Sequence, residues 1–211
     1  MSTTHRLTLP VTAEDIAAVR AGDLVYLDGD IVVTIGLPTH QRMIDCAARG
    51  EALPVDLHGG AFLHLSSYNR EADTPSGHEA LYMNPTTSTR YTAFMPTLIR
   101  AYGLRVIGGK GGLDAESVKA MQEVGCIYLS FLGGGATLLA RAIKEVVAVD
   151  WEEYISQFRL VTLRVEGLGP ATVGIDAHGN SLYDSLRQTA TDRLPAILEE
   201  LDRTRAPLPG H

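Results

Sequence analysis

Two short segments of this chain carry side chains that could do chemistry. Asn84-Pro85-Thr86-Thr87-Ser88-Thr89-Arg90 offers hydroxyls and a guanidinium, and Gly108-Gly109-Lys110-Gly111-Gly112 offers an ammonium in a glycine-rich setting. Arginine's planar fork suits bidentate capture of a carboxylate, while lysine supplies a compact point charge, so the pair reads as a site for a small acid. The structural alternative stays open: Thr-Thr-Ser can cap a helix, and Lys110 can sit in a solvated turn.

Other ligand motifs fail. A phosphate-cradling loop needs Gly-Lys followed by Ser or Thr, and Lys110 is followed by Gly111. Gly133-Gly134-Gly135-Ala136-Thr137-Leu138 follows an apolar run but has leucine where a dinucleotide fingerprint places its third small residue. His58, His64 and His78 are too scattered to argue a metal site. Cys46 and Cys126 read as small buried residues, and two thiols cannot by themselves hold an iron–sulfur cluster. Asp176 and His178 precede a Gly-Asn turn and read as turn chemistry. Trp151, next to Glu152 and Glu153, hints at packing at a subunit surface.

The elements that must position the two loops alternate along the chain. Thr12-Ala13-Glu14-Asp15 opens a short helix, and Leu24–Leu27 and Ile31–Ile35 read as strands, the second β-branched and buried. Thr39 is expected to cap a helix over His40–Arg49 that ends at Gly50. Ala61–Leu65 is a strand candidate, and Ser66–Gly77 reads as a mobile loop. Pro85 biases Asn84 to extended geometry, and Tyr91–Tyr102 is helix-compatible with Gly103 as its stop, so Thr86–Arg90 is expected on a loop entering a helix. Leu104–Ile107 predicts a strand with Lys110 just past its carboxyl end, the edge where open α/β sheets bind ligands. A helix from Asp114 or Ala115 to Gly125, a strand over Cys126–Leu132, a helix over Ala136–Lys144 and a strand over Val146–Val149 follow. Leu160–Glu166 and Ala171–Ala177 read as successive strands, His178–Asn180 as a turn, Asp192–Thr204 as an amphipathic helix and 205–211 as a frayed tail. The pattern is α/β, and the 211 residues are expected to form one domain with a core over about 8–204.

The formal charge is −7 with no basic run, so an electrostatic footprint for nucleic acid is missing. Nothing approaches the apolar length of a membrane span, and the first residues lack the pattern of a secretory signal. A cytoplasmic location is therefore expected.

The succession Ala21-Gly22-Asp23 plus strand, a strand leading to His40 and Arg42, Leu53–Gly59, Pro85-Thr86-Thr87-Ser88 with Arg90, Gly109-Lys110-Gly111-Gly112, Gly134 with Ala136, and Asp176–Asn180 resembles the β subunit of class I iron–sulfur hydro-lyases, the L-tartrate dehydratase and class I fumarase type. The resemblance runs from about residue 8 to residue 200. It implies a swivelling β/β/α domain, with a mixed sheet and flanking helices, that serves reversible hydration or dehydration of a small dicarboxylic acid. It also implies a 4Fe–4S cluster on a partner α subunit and none bound by this chain alone, in an α2β2 assembly active only when both subunits are present. Thr86, Thr87, Arg90 and Lys110 would bind the substrate carboxylates, Lys110 would also act near the reacting carbons, and His40 is a further catalytic candidate.

Departures from the family pattern fall on this same site. An Arg-Asp pair is usual a few residues before the histidine, and this chain reads Gly36-Leu37-Pro38-Thr39-His40. Asn84 stands for a usual glycine, and Tyr91-Thr92 for a usual Met-acid pair. Leu37 and Tyr91 are expected to reshape one end of the pocket. Two alternatives accompany the enzyme reading: a carboxylate-binding or regulatory module derived from this domain, and a self-sufficient enzyme with Lys110 as base, which lacks any accompanying nucleophile or cofactor motif.

Overall fold

The computed structural model describes residues 2–205. Its centre is β2 (Leu24–Val33), a ten-residue strand that pairs along one edge with β1 (Thr4–Thr8) and then β3 (Ala61–Leu63), both parallel to it. The order continues in parallel through β6 (Val106–Gly109) to β7 (Ile127–Ser130). The sixteen-residue β9 (Leu160–Ile175) then pairs antiparallel with β7, with the other edge of β2, and with β8 (Ile143–Asp150). Five strands, β2, β3, β6, β7 and β9, thus close on themselves, which removes edges that would otherwise be open. β4 (Leu65–Glu71) and β5 (His78–Pro85) form a separate hairpin.

Alternation along the strands sends side chains to two cores. Val25, Leu27, Ile31, Leu63, Val106, Leu129, Leu163 and Val173 share one, joined by Ile16 of α1 (Ala13–Ala17). Val32, Phe62, Ile107, Tyr128 and Leu160 face the other, against α2 (Leu37–Arg49), α3 (Met95–Tyr102) and α4 (Ala115–Val124). The fold is mixed α/β, with a mixed sheet and flanking helices, and among the described residues no helix is long and apolar enough to cross a membrane.

Several boundaries differ from the sequence expectation for physical reasons. Asp28-Gly29-Asp30 does not separate two strands; a bulge carries β2 through it, and a similar irregular register carries β9 through Gly167–Pro170. Thr39 does not cap α2, which begins at Leu37 with Pro38 in its first turn; the Thr39 hydroxyl donates instead to the Phe158 carbonyl. The first half of Ser66–Gly77, up to Glu71, is strand, because its polar residues pair across the hairpin and Tyr68 stacks on Tyr82 (centroids 5.5 Å apart). α5 (Ala136–Ala140) stops early, since Ile143 already pairs with β9. The last helix, α6 (Leu182–Thr204), starts ten residues before its expected first residue, Asp192. The expected tail lies outside the described residues beyond Arg205.

Candidate functional site

The two loops meet at the carboxyl edge of the parallel strands, held by a backbone ladder. His64 N–H donates to Gly108 O (2.7 Å), Thr86 N–H to His64 O (2.9 Å), Lys110 N–H to Thr86 O (2.9 Å) and Ser88 N–H to Lys110 O (2.8 Å). Thr87 and Lys110 are parallel bridge partners. Residues far apart in sequence are thereby fixed side by side by main chain, which gives a more rigid placement than side-chain contacts alone. Gly109 must lack a side chain here, because a Cβ would overlap Ser88 Oγ and lie 3.1 Å from the Thr86 carbonyl oxygen.

The structural alternative for the hydroxyls does not hold. Ser88–Tyr91 is a single 3-10 turn whose N-cap, Thr87, makes no side-chain capping bond. Thr86 and Thr87 are half-buried at the edge, and the Thr86 hydroxyl has one long contact, from Arg90 Nη1 at 3.4 Å. Arg90 is exposed and Lys110 half-buried, and among the described residues neither is paired with an acidic side chain. On a chain of net charge −7, most guanidinium groups find carboxylates, and these two cations stand on one edge without them. Lys110 Nζ also lies against the loop after β7, 3.6 Å from where a Cβ on Gly133 would stand.

Beneath the loop lies a buried cluster that the sequence reading only partly anticipated. His40, on the first turn of α2, is fully buried, and its ring stacks on Tyr91 at 4.3 Å with planes 7° apart. Its Nδ1 sits 2.6 Å from the Gly36 carbonyl, and its Nε2 has no partner among the described residues. Burial pulls its pKa down to about 4, so the ring is neutral near pH 7. His64, also fully buried, lies 4.4 Å from the Tyr91 ring on that ring's way to Ser88. Its Nδ1 is 2.8 Å from Ser88 Oγ, which also accepts from the Tyr128 hydroxyl at 2.8 Å. Burial holds the His64 pKa well below the usual histidine range. Tyr91 is not a pocket wall: it is buried, and its hydroxyl donates to the Ile35 carbonyl at 2.8 Å. Leu37, the first residue of α2, is half exposed.

His64 is the residue that sequence reasoning passed over. Its signal was a lone polar side chain at the carboxyl end of the buried run Ala61–Leu65, one position from a strand end. Asp176, by contrast, is the turn residue expected, accepting from the backbone amides of Ala21, His178 and Asn180. Trp151 packs against the helix-side core under the Arg42 guanidinium, 4.5 Å from its centroid.

The thiols do not fit an iron–sulfur cluster. Cys46 is buried on α2 and Cys126 is buried at the head of β7, where desolvation pushes its thiol pKa up, opposite to what a thiolate ligand needs. Among the described residues no group of three or more His, Cys, Asp or Glu could hold a metal ion. A cleft of about 700 Å³ lies elsewhere, between Leu9-Pro10, the Pro54–His58 loop and strands β2, β8 and β9, and includes none of Thr86, Thr87, Arg90 or Lys110. The loop edge thus carries its donors outside that cleft.

Comparison with known proteins gives the same direction. Residues 2–186 match the family described as "Fumarase C-terminus". The chain is 32% identical over 195 residues to the "L(+)-tartrate dehydratase subunit beta" of Escherichia coli strain K12, covering 92% of this chain and 94% of that one. It is 30% identical over 189 residues to the "Putative L(+)-tartrate dehydratase subunit beta" of Methanocaldococcus jannaschii, covering 89% and 95%. It is also 31% identical over 193 residues to the "Putative fumarate hydratase class I" of Geobacillus stearothermophilus, covering 92% of this chain and 36% of that longer protein.

Proposed function

Because the chain belongs to the fumarase C-terminus family, we propose that it is the β subunit of a hydro-lyase that adds or removes water across a carbon–carbon bond of a small dicarboxylic acid such as L-tartrate or fumarate. One observation carries this reading: Thr86, Thr87, Arg90 and Lys110 stand on one backbone-locked edge with their cations unpaired. A dicarboxylate brings two negative charges, and loss of a proton beside a carboxyl group concentrates charge on that carboxylate as the reaction proceeds. Fixed donors already aimed at it stabilise the charge without reorganisation.

In this reading Arg90 clamps one carboxylate through its planar fork. Lys110 neutralises charge near the reacting carbons, and the Thr86 and Thr87 hydroxyls complete the donor set. His40 acts from below by stacking on Tyr91, and does not touch the substrate. The 4Fe–4S cluster is assigned to a partner α subunit, in keeping with the thiols of this chain being buried on separate elements. The open edge then becomes an enclosed site when this domain swivels onto that partner, in an α2β2 assembly within the cytoplasm. The enzyme is active only as that complex.

An anaerobic affinity purification of this chain from its native cells tests the reading. A stoichiometric partner carrying iron and acid-labile sulfide, with turnover of a C4 dicarboxylate by the eluate, is the expected result. A clean, iron-free chain that still binds carboxylates would turn the assignment to a binding module.

A further inference from the structure

The helix α6 leaves the domain with an apolar stripe and nothing to cover it. Its first turn is anchored: Ser181 Oγ accepts from the Asp184 amide at 3.2 Å, and Tyr183 meets Tyr128 edge to face at 6.0 Å. Beyond that turn no residue of the helix is buried. Leu186, Leu194, Ile197, Leu198 and Leu201 are each between 45% and 69% exposed. The match to the family model ends at residue 186, so most of this helix lies outside what the family model describes. Most helical stability in proteins comes from packing an amphipathic face, and Pro195 in the interior of this helix removes a backbone bond. Something must cover the stripe.

The spacing says what kind of surface does so. Ala190, Leu194, Ile197 and Leu201 recur at intervals of four, three and four, the seam of a two-helix coil, with Pro195 on the outward side. Arg193 and Glu200 flank the seam on one side. Laid against its own copy in antiparallel register, Leu194 faces Ile197 and Ala190 faces Leu201 of the second helix. The flank then matches: Arg193 meets Glu200, twice by symmetry. A parallel arrangement loses this, because it sets Arg187 against Arg187 in the seam and leaves Arg193 facing Leu198. Antiparallel pairing also puts the two domains at opposite ends of the helix pair, where they do not compete for space.

We infer that α6 is a self-association element, pairing antiparallel with α6 of a second copy of this chain through the Ala190–Leu201 seam. The seam lies beyond Tyr183, the α6 residue that packs against Gly112 in the Lys110 loop.

Sedimentation velocity of the full-length chain, with circular dichroism to check the fold of each variant, tests this. The wild type is expected at twice its 22.7 kDa chain mass. Leu194→Glu, which places a charge in the seam, is expected to give single chains with the domain's spectrum kept. Arg193→Glu is expected to weaken the dimer at least tenfold by opposing two Glu200 carboxylates, and Arg193→Glu with Glu200→Arg to restore it. A wild-type chain that sediments as a single chain overturns the inference, as does a dimer unmoved by Leu194→Glu. Loss of a co-purified α subunit on Leu194→Glu, from a chain that is otherwise single, would overturn it in favour of the stripe as an α-subunit contact.

Discussion

Ser88 is the residue on which the candidate site turns, although it is buried and offers nothing to a ligand. Its hydroxyl accepts from Tyr128 and meets His64 Nδ1, while its amide closes the ladder to Lys110. Removing that hydroxyl leaves two buried polar groups without partners, a cost of about 1–3 kcal/mol. Ser88→Ala is therefore expected to lower the urea midpoint and to raise KM in the assembled enzyme, whereas Thr89→Ala, one residue on and exposed, is expected to change neither. Equal effects of the two substitutions would argue against Ser88 as the anchor. His40 makes a second prediction at this scale. Its folded pKa of about 4 lies below the unfolded value of about 6.5, so above pH 6.5 both states are neutral and the fold keeps its full stability. As pH falls from 6.5 towards 4 the unfolded chain takes up the proton first, and about 3 kcal/mol is lost over that window. Denaturation midpoints measured from pH 7 to pH 4 should fall, and the fall should be shallower in His40→Phe. A midpoint that stays level across the window would contradict the burial of a neutral imidazole.

At the scale of elements, the turn from β2 into α2 shows how packing sets what the site can contain. Gly36 has an ordinary negative φ, yet a Cβ there would overlap Thr39 Oγ1 and lie 2.8 Å from Phe158 Cβ. No side chain fits at a position near where the family usually carries an arginine. Gly36→Ala should thus destabilise by overpacking, about 1–3 kcal/mol, read as a lower melting temperature; an unchanged melting temperature would show that the Phe158 segment yields freely. The same turn explains what could be read from the chain. Local signals were sufficient where chemistry is local: the helix opening at Thr12–Asp15, Gly50 and Gly103 as helix stops, the helix start at Asp114 or Ala115 and Lys110 just past a strand end all stand where expected. Thr39 misled because its hydroxyl is claimed by Phe158, a partner 119 residues away. The strand over Ser66–Glu71 was hidden because its residues are polar apart from Tyr68, and its pairing partner β5 lies beyond the turn. His64 was hidden because its neighbours, Ser88, Tyr91 and His40, come together only through the sheet.

At the scale of the whole molecule, the proposed function makes the loop edge one half of a reaction site that the α subunit would close. The chain is acidic, yet it keeps two unpaired cations on one edge, and its thiols are withdrawn into the core. Burying those cations against a second protein without an anion between them would cost several kcal/mol, so under the proposed function the substrate's carboxylates are the anions that lie there. That makes the cations the direct test of the account. In the complex purified with its α subunit, kcat/KM for the preferred dicarboxylate should be measured for wild type, Arg90→Leu and Lys110→Met, with iron content and assembly checked in each. Each substitution removes a charge-assisted contact of about 1.5–3 kcal/mol, so kcat/KM should fall at least about tenfold while the complex and its iron remain. Activity within about twofold of wild type in both variants, a change too small for such a contact, would contradict the placement of the substrate's carboxylates on this chain.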